Sequence, residues 1–257
     1  MERTEQNEIL ASLQEAIHSR KAISPLSSRY PHFTLNDAYE VQRMGLEAGL
    51  KSGQRLCGYK MGLTSRAKQR DVNVFEPIRG YLLSSMEVMK GEPVETGTRI
   101  HPRTEPEIAV IMGQSLRGDS VTLREVAQAI AMIVPALEII DSRYESFSFK
   151  LPDVVADNTS ASGFMLGTGN LIGSDLALLG ITVRKNGVVV ETGAPAAVLG
   201  DPLLSVVGLV RGLAKEGKGL EPGMVVLTGG ITAAVPFQAR DVIEMTWPEE
   251  TIGFRAS

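Results

Sequence analysis

Four side chains in this sequence of 257 residues stand where burial should exclude them unless they do chemistry. The stretch His101-Pro102-Arg103-Thr104-Glu105-Pro106-Glu107-Ile108-Ala109-Val110-Ile111-Met112 sets two glutamates two residues apart at the head of an apolar run. Read as a strand, it puts Glu105 and Glu107 on one face with Ala109 and Ile111, and Pro106, Ile108, Val110 and Met112 on the other. Two carboxylates on one buried face repel, and burial penalises each, so the pair calls for a cation. A third, Glu138, interrupts the apolar run Val134-Pro135-Ala136-Leu137-Glu138-Ile139-Ile140 and needs a partner for the same reason. Oxygen-only ligands suit Mg²⁺ or Mn²⁺ better than Zn²⁺. The three histidines, His18, His32 and His101, form no H-x-H or H-E-x-x-H zinc pattern. The alternative is an edge strand whose Glu105 and Glu107 face solvent and pair with Arg103 or Arg143. Glu138 weighs against it, because nothing else explains a charge inside that run.

The fourth residue is Lys60, within Gly58-Tyr59-Lys60-Met61-Gly62-Leu63-Thr64-Ser65. Flanking glycines allow a backbone or a ligand to approach closely. A lysine held there could stabilise a developing oxyanion or move a proton; it could equally snorkel at a sheet edge. Small polar groups follow the Glu138 strand in Asp141-Ser142-Arg143 and Val155-Ala156-Asp157-Asn158-Thr159-Ser160. Arg143 could grip a substrate carboxylate through two hydrogen bonds, or equally serve as the structural partner of Asp141 or Asp157, the reading preferred here. Cys57, the single cysteine, reads as a small buried hydrophobe, and no intrachain disulfide can form.

The elements that must position these groups are helices first and strands afterwards. Apolar residues at helical spacing (Ile9, Leu10, Leu13, Ala16, Ile17) predict a helix over residues 5–20. Thr34, with Asp37 three residues on, opens a second through Ala38, Val41, Met44 and Leu50 to about Gly53. Strands are predicted at Leu56–Leu63, Glu105–Met112, Ile133–Ile140, Met224–Thr228 and Val242–Thr246. Thr64 or Ser65 could cap a short helix ending before Pro77. Thr122 and Glu125 open a helix through about Met132, and Asp201-Pro202 opens one to about Lys215. Asn186-Gly187 between Thr182–Lys185 and Val188–Glu191 is a hairpin signal. Few βαβ units appear, so the fold class is α+β: a helical region over residues 1–54, then a β-rich catalytic region over 55–257 forming one compact unit. Gly229-Gly230 is followed by no phosphate-binding pattern.

Composition bounds the rest. A net charge of −4 with scattered Lys and Arg gives no footprint for nucleic acid or a membrane surface. No apolar run reaches the ~18 residues of a membrane span, and the polar N-terminus is unlike a signal peptide, so a cytoplasmic protein is expected.

Taken together, Gly58–Ser65, Glu105-Pro106-Glu107-Ile108-Ala109, Pro135–Arg143 and Ala156-Asp157-Asn158 resemble the hydratase/decarboxylase family of catechol meta-cleavage pathways, within the fumarylacetoacetate hydrolase superfamily. The resemblance runs from about Ala38 to the C-terminus with the motifs in order. It implies N-terminal helices followed by a mixed, barrel-like sheet. It also implies Mg²⁺ (or Mn²⁺) on Glu105, Glu107 and Glu138, Lys60 as the catalytic residue, and substrate contacts at Leu63, Ser65, Ile78, Arg143, Asp157 and Ser160. Two branches compete. The hydratases of 2-hydroxypenta-2,4-dienoate carry Gln-Pro-Asp-x-Gly after the lysine motif and Ser-Gly-Ala-Leu-Gly near the C-terminus. This chain has Glu76-Pro77-Ile78-Arg79-Gly80 and Thr228–Val235 there, and with Asp141–Phe149 it is more similar to the decarboxylases. The expected reaction is metal-dependent loss of CO₂ from a 2-oxo dicarboxylate, 2-oxohex-3-enedioate; hydration of 2-hydroxypenta-2,4-dienoate is the alternative. A complex with the pathway's hydratase and a homo-oligomer are expected partners. A non-catalytic partner subunit is the reading from another class, which Lys60 and the intact glutamates oppose.

Overall fold

The structure is a computed structural model and describes residues 1–65, 69, 77–248 and 250–257. Apart from Gln69, the expected short helix after Thr64 lies outside the described residues, as does Glu76.

Three helices lead the chain: α1 (Arg3–Ser19), α2 (Leu26–Arg29) and α3 (Leu35–Lys51). Thr34 caps α3 as its sequence demands: its hydroxyl accepts the Asp37 N–H, and the Asp37 carboxylate accepts the Thr34 N–H. On α1, Ile9, Leu13 and Ala16 are buried, but Ile17 is exposed, as is Leu50 on α3. Each lies just off the buried stripe, which follows a narrower face than the apolar pattern suggests. The buried faces of these helices share a core with Ile78, Tyr144 and Val154–Ala156.

The strands are β1 (Leu56–Gly62), β2 (Ile78–Leu83), β3 (Arg103–Met112), β4 (Ile130–Ile140), β5 (Ala161–Leu166), β6 (Ile181–Lys185), β7 (Val188–Gly193), β8 (Val225–Leu227), β9 (Val235–Pro236), β10 (Val242–Thr246) and β11 (Thr251–Arg255). Helices α4 (Leu123–Ala129), α5 (Leu151–Ala156) and α6 (Leu203–Ala214) lie between them. Helix α4 stops three residues short of the Met132 expected from its pattern, because Ile130 already pairs with Met112 as β4 begins. A β-branched run that can extend the neighbouring ladder overrides weak helical periodicity there. Strands β2, β5, β9 and β11 and helix α5 are too short or too mixed in composition to be legible before folding.

One sheet runs β2-β1-β8-β3-β4-β5, with β9 alongside β3; a second runs β11-β10-β6-β7. In the second, Asn186 and Gly187 take left-handed φ of 54° and 80° and turn β6 into β7, the primed geometry that suits a twisted hairpin. The first sheet curls until its ends meet. Glu87, just after β2, bridges Phe164 of β5, and the Asn158 side chain grips the backbone N–H and carbonyl of Tyr81 in β2. Leu82, Ala109, Val134, Ala136, Phe164, Val225 and Leu227 fill the concave face. Ile108, Val110, Met112, Leu137 and Ile139 face the other way, against α6 and the second sheet. This is the α+β, barrel-like architecture expected from the sequence.

Candidate active site

The register of β3 and β4 assembles the three glutamates. Glu105 lies directly opposite Glu138 and Glu107 opposite Ala136, so Glu138 faces one glutamate and sits diagonal to the other. A carboxylate oxygen from each lies within 4.8 Å of the other two. Glu107 and Glu138 are wholly buried, and Glu105 is half-buried.

Lys60 joins them from β1. Strands β8 and β3 lie between β1 and β4. On a flat sheet that separation would be roughly 14 Å, beyond a lysine's reach. The curl closes it: Lys60 Nζ lies 3.0 Å from Glu138 Oε2 and donates to the Thr159 carbonyl at 3.1 Å. The glycines around Lys60 permit this crowding. A β-carbon on Gly62 would meet Thr159 Cγ2 at 2.8 Å, and one on Gly58 would meet the Val225 carbonyl at 1.8 Å. Asn158, Thr159 and Ser160 all take left-handed φ (48°, 53° and 59°), a costly run for side-chain-bearing residues, and it aims the Thr159 carbonyl at the lysine.

Gly229 and Gly230 form the remaining wall. The Gly229 N–H donates to Glu107 Oε2 at 2.7 Å. Its φ of +114° leaves no room for a side chain, since a β-carbon would fall 1.9 Å from Thr64 Oγ1. A β-carbon on Gly230 would stand 2.9 Å from Glu105 Cδ. Sequence reading missed this role. A Gly-Gly pair with no nucleotide pattern is the signal that a backbone must approach something closely.

Glu107 Oε1 and Glu138 Oε1 are buried with no hydrogen-bond donor among the described residues. Such orphaned acceptors are costly and call for a ligand. Burial, reinforced by the Glu138 charge, drives the Glu107 carboxyl well above the usual range. Burial also pushes Glu138 up to about 7, although Lys60 opposes it. Three convergent carboxylates, two of them reluctant to ionise alone, fit a hard divalent cation bound through oxygen.

The other expected site residues are distributed differently. Ser160 adjoins the lysine's acceptor, with its hydroxyl buried and without a partner among the described residues. Ser65 and Leu63 are half-buried beyond β1; Leu63 packs, with Ile78, against the core of the N-terminal helices. Arg143 and Asp157 bind each other: Arg143 Nε pairs with the Asp157 carboxylate, its Nη2 donates to the Asp157 carbonyl at 2.6 Å and its N–H to Oδ2 at 3.0 Å. Both are buried, and burial pushes Asp157 up to about 6 against the pull of Arg143. The structural alternative for Arg143 is therefore the arrangement seen. Asp141 accepts the N–H groups of Ile100 and His101. Cys57 is only half-buried, not enclosed as expected; it lies beside the concave core, and burial raises its thiol pKa.

Residues 57–255 match the family model for the C-terminal domain of fumarylacetoacetate (FAA) hydrolase. The chain is 40% identical over 253 residues to the 4-oxalocrotonate decarboxylase of Pseudomonas sp. (strain CF600), covering 96% of each. It is 36% identical to the 2-keto-4-pentenoate hydratase of Paraburkholderia xenovorans (strain LB400), over 93% of this chain and 90% of that one. The structure of 4-oxalocrotonate decarboxylase from Pseudomonas putida G7, complexed with magnesium and adipate, superposes with a TM-score of 0.96 at 38% identity, covering 100% of this chain and 99% of the other. Family model, near-full-length identity and superposition agree, and the chain belongs to the fumarylacetoacetate hydrolase family.

Proposed function

We propose that the chain is a magnesium-dependent carboxy-lyase that converts 2-oxohex-3-enedioate to 2-hydroxypenta-2,4-dienoate and CO₂. The observation that carries the reading is Lys60, ion-paired to Glu138, with Glu105 and Glu107 converging on the same point and one oxygen each of Glu107 and Glu138 buried without a donor among the described residues. That arrangement suits a reaction whose difficulty is negative charge developing on a 2-oxo group. The substrate is a vinylogous β-keto acid. As the C5–C6 bond breaks, its electron pair forms C4=C5, the C3=C4 pair moves to C2=C3, and the carbonyl pair settles on the C2 oxygen. Glu105, Glu107 and Glu138 would hold Mg²⁺, or Mn²⁺, which supplies Lewis-acid stabilisation to a chelated 2-oxo acid. Lys60 is the group to stabilise the enolate oxygen and return its proton, giving the dienol. The wall of Gly229 and Gly230 keeps Glu107 and Glu105 aimed inward without side-chain bulk.

Ile78 separates the branches. It is buried among apolar residues, where the related hydratases carry an aspartate able to handle water. Decarboxylation needs no activated water. Ser65, shortly after the lysine strand, and Ser160, next to the lysine's acceptor Thr159, are proposed to contact substrate. Association with the hydratase that consumes the product, self-association and a cytoplasmic location belong to the same proposal. Among the described residues no helix is long and apolar enough to cross a membrane. The test is incubation with 2-oxohex-3-enedioate and, separately, 2-hydroxypenta-2,4-dienoate, each with Mg²⁺. CO₂ release from the first, abolished by excess chelator, is expected. Hydration of the second without CO₂ release from the first would overturn the reading, as would full turnover in chelator. Co-elution with the hydratase on size exclusion checks the partner.

A further inference from the structure

Strand β3 carries one more polar residue on the face that bears the glutamates. Strand alternation places Arg103 in line with Glu105 and Glu107, and the register with β4 is unbroken there, Arg103 opposite Ile140 and Glu105 opposite Glu138. Arg79, Arg117 and Arg143 pair with carboxylates, whereas Arg103 pairs with none among the described residues. Its guanidinium carbon lies instead 4.0 Å from the centroid of the Phe147 ring. The same ring meets His101, centroid to centroid, at 4.9 Å, and His101 Nε2 is buried without a hydrogen-bond partner among the described residues. Phe147 reaches both from a turn in which it and Ser146 hold left-handed φ of 57° and 55°. Arg103 of β3, His101 just before that strand and Phe147 of the turn thus form a wall with a cation that no carboxylate among the described residues neutralises, and an unused polar atom.

We propose that Arg103 is a specificity-determining residue that receives the distal carboxylate of a dicarboxylate substrate, with His101 Nε2 as a second donor and Phe147 positioning both. The inference rests on the functional reading above and deepens it. Its dimensions agree. Two residues of strand place Arg103 about 6.8 Å beyond Glu105. The terminal carbons of an extended six-carbon diacid, joined by C–C bonds near 1.5 Å, lie roughly 6 Å apart. A substrate whose 2-oxo acid end sits at the glutamates and which runs outward along β3 therefore brings its far carboxylate to the guanidinium, whose planar fork can hold it through two hydrogen bonds. That carboxylate leaves as neutral CO₂, so the contact is made in the ground state and fades during reaction. Such binding governs KM and selectivity, and its removal does not lower kcat, because a contact that fades toward the transition state stabilises only the bound substrate.

The test uses the full chain with Mg²⁺ and two inhibitors that share one chelating end, 2-oxoadipate and 2-oxohexanoate, titrated calorimetrically. The wild type is expected to bind the dicarboxylate about tenfold or more tightly than the monocarboxylate, as a charge-assisted pair allows. Arg103→Gln should bring the two within about twofold by weakening only 2-oxoadipate. It should also raise KM for 2-oxohex-3-enedioate about tenfold without lowering kcat. Arg103→Lys should restore part of the preference. His101→Phe, which keeps the ring contact, should lose a smaller share. Should Arg103→Gln fail to fold, Phe147→Leu retains the cation without its platform and is expected to show an intermediate loss. Equal weakening of both inhibitors by Arg103→Gln, or by Phe147→Leu where that variant stands in, would overturn the proposal in favour of a stapling role. An unchanged preference in the substituted protein would also overturn it, and so would a wild type without preference. If the wild type binds 2-oxohexanoate only with Mg²⁺ yet shows no preference, the specificity inference alone falls. If neither 2-oxo acid binds, the functional reading falls with it.

Discussion

Without a cation, the glutamate cluster should make the protein less stable as pH rises, and Mg²⁺ should reverse this most at high pH. Glu138 is wholly buried, and burial raises its carboxyl from an ordinary 4.5 to about 7. A folded-state pKa above the unfolded value means that folding favours the protonated form. The contribution is therefore fully present below pH 4.5 and is lost as pH climbs through about 7. At 1.36 kcal/mol per pH unit, that interval corresponds to about 3 kcal/mol. For a chain of this size about 3 kcal/mol is roughly 6–12 °C in Tm. Glu107 moves in the same direction and adds to the loss; so does Asp157, which no cation at the cluster would reach. The discriminating quantity is thus the Mg²⁺-induced rise in Tm, which cancels Asp157. Ligand binding to the folded state stabilises it, and at pH 5 the cation must first displace protons that are already absent at pH 8. Melting with chelator and with saturating Mg²⁺ should give a markedly larger shift at pH 8. Glu107→Gln should fold, lose less chelator-state stability between pH 5 and 8, and respond weakly to Mg²⁺. A shift equal at both values, or larger at pH 5, would refute the reasoning.

Three further outcomes are expected. Lys60→Gln should lower kcat at least about 10²-fold, as loss of a preorganised donor does, while Mg²⁺ affinity measured by titration stays the same or improves because a competing cation has gone. Gly230→Ala pushes a methyl against the Glu105 carboxylate, 2.9 Å from its Cδ, and should weaken Mg²⁺ binding about tenfold or more with a much smaller change in Tm. Arg143→Met leaves Asp157 buried without its cation and should cost about 3–5 kcal/mol in urea unfolding. A loss of substrate affinity with unchanged stability would instead make Arg143 a substrate ligand.

The legible parts of the site were those where a residue type contradicts its immediate surroundings. Glu138 inside an apolar run, Glu105 and Glu107 on one strand face and Lys60 between glycines all announce a cost that must be offset. So do the local signals that fold within a few residues, namely the Thr34 and Thr122 capping boxes and the Asn186-Gly187 turn. Where two local tendencies met, at the junction of α4 with β4, the winner depended on Met112 across the ladder and could not be read from the segment itself. Arg143 shows the same limit: its sequence neighbourhood offers Asp141 and Asp157 equally, and only the packed turn selects Asp157.

The sequence alone singled out Glu138 as a charge that an apolar run would bury and that would need a cation, and it marked Glu105, Glu107 and Lys60 as candidates beside it, because desolvation cost depends on residue type and on the apolarity of adjacent residues. The tertiary structure decided how those groups meet. Strand register set Glu105 against Glu138, and the curl of the sheet shortened a distance no flat sheet could span. Gly229 and Gly230 came from more than 120 residues away to close the wall. Arg103 showed nothing unusual beside Pro102 and Thr104, and it became notable only when Phe147 arrived under its guanidinium without a carboxylate. Such encounters depend on chain closure between distant segments, and composition and local periodicity carry no record of them.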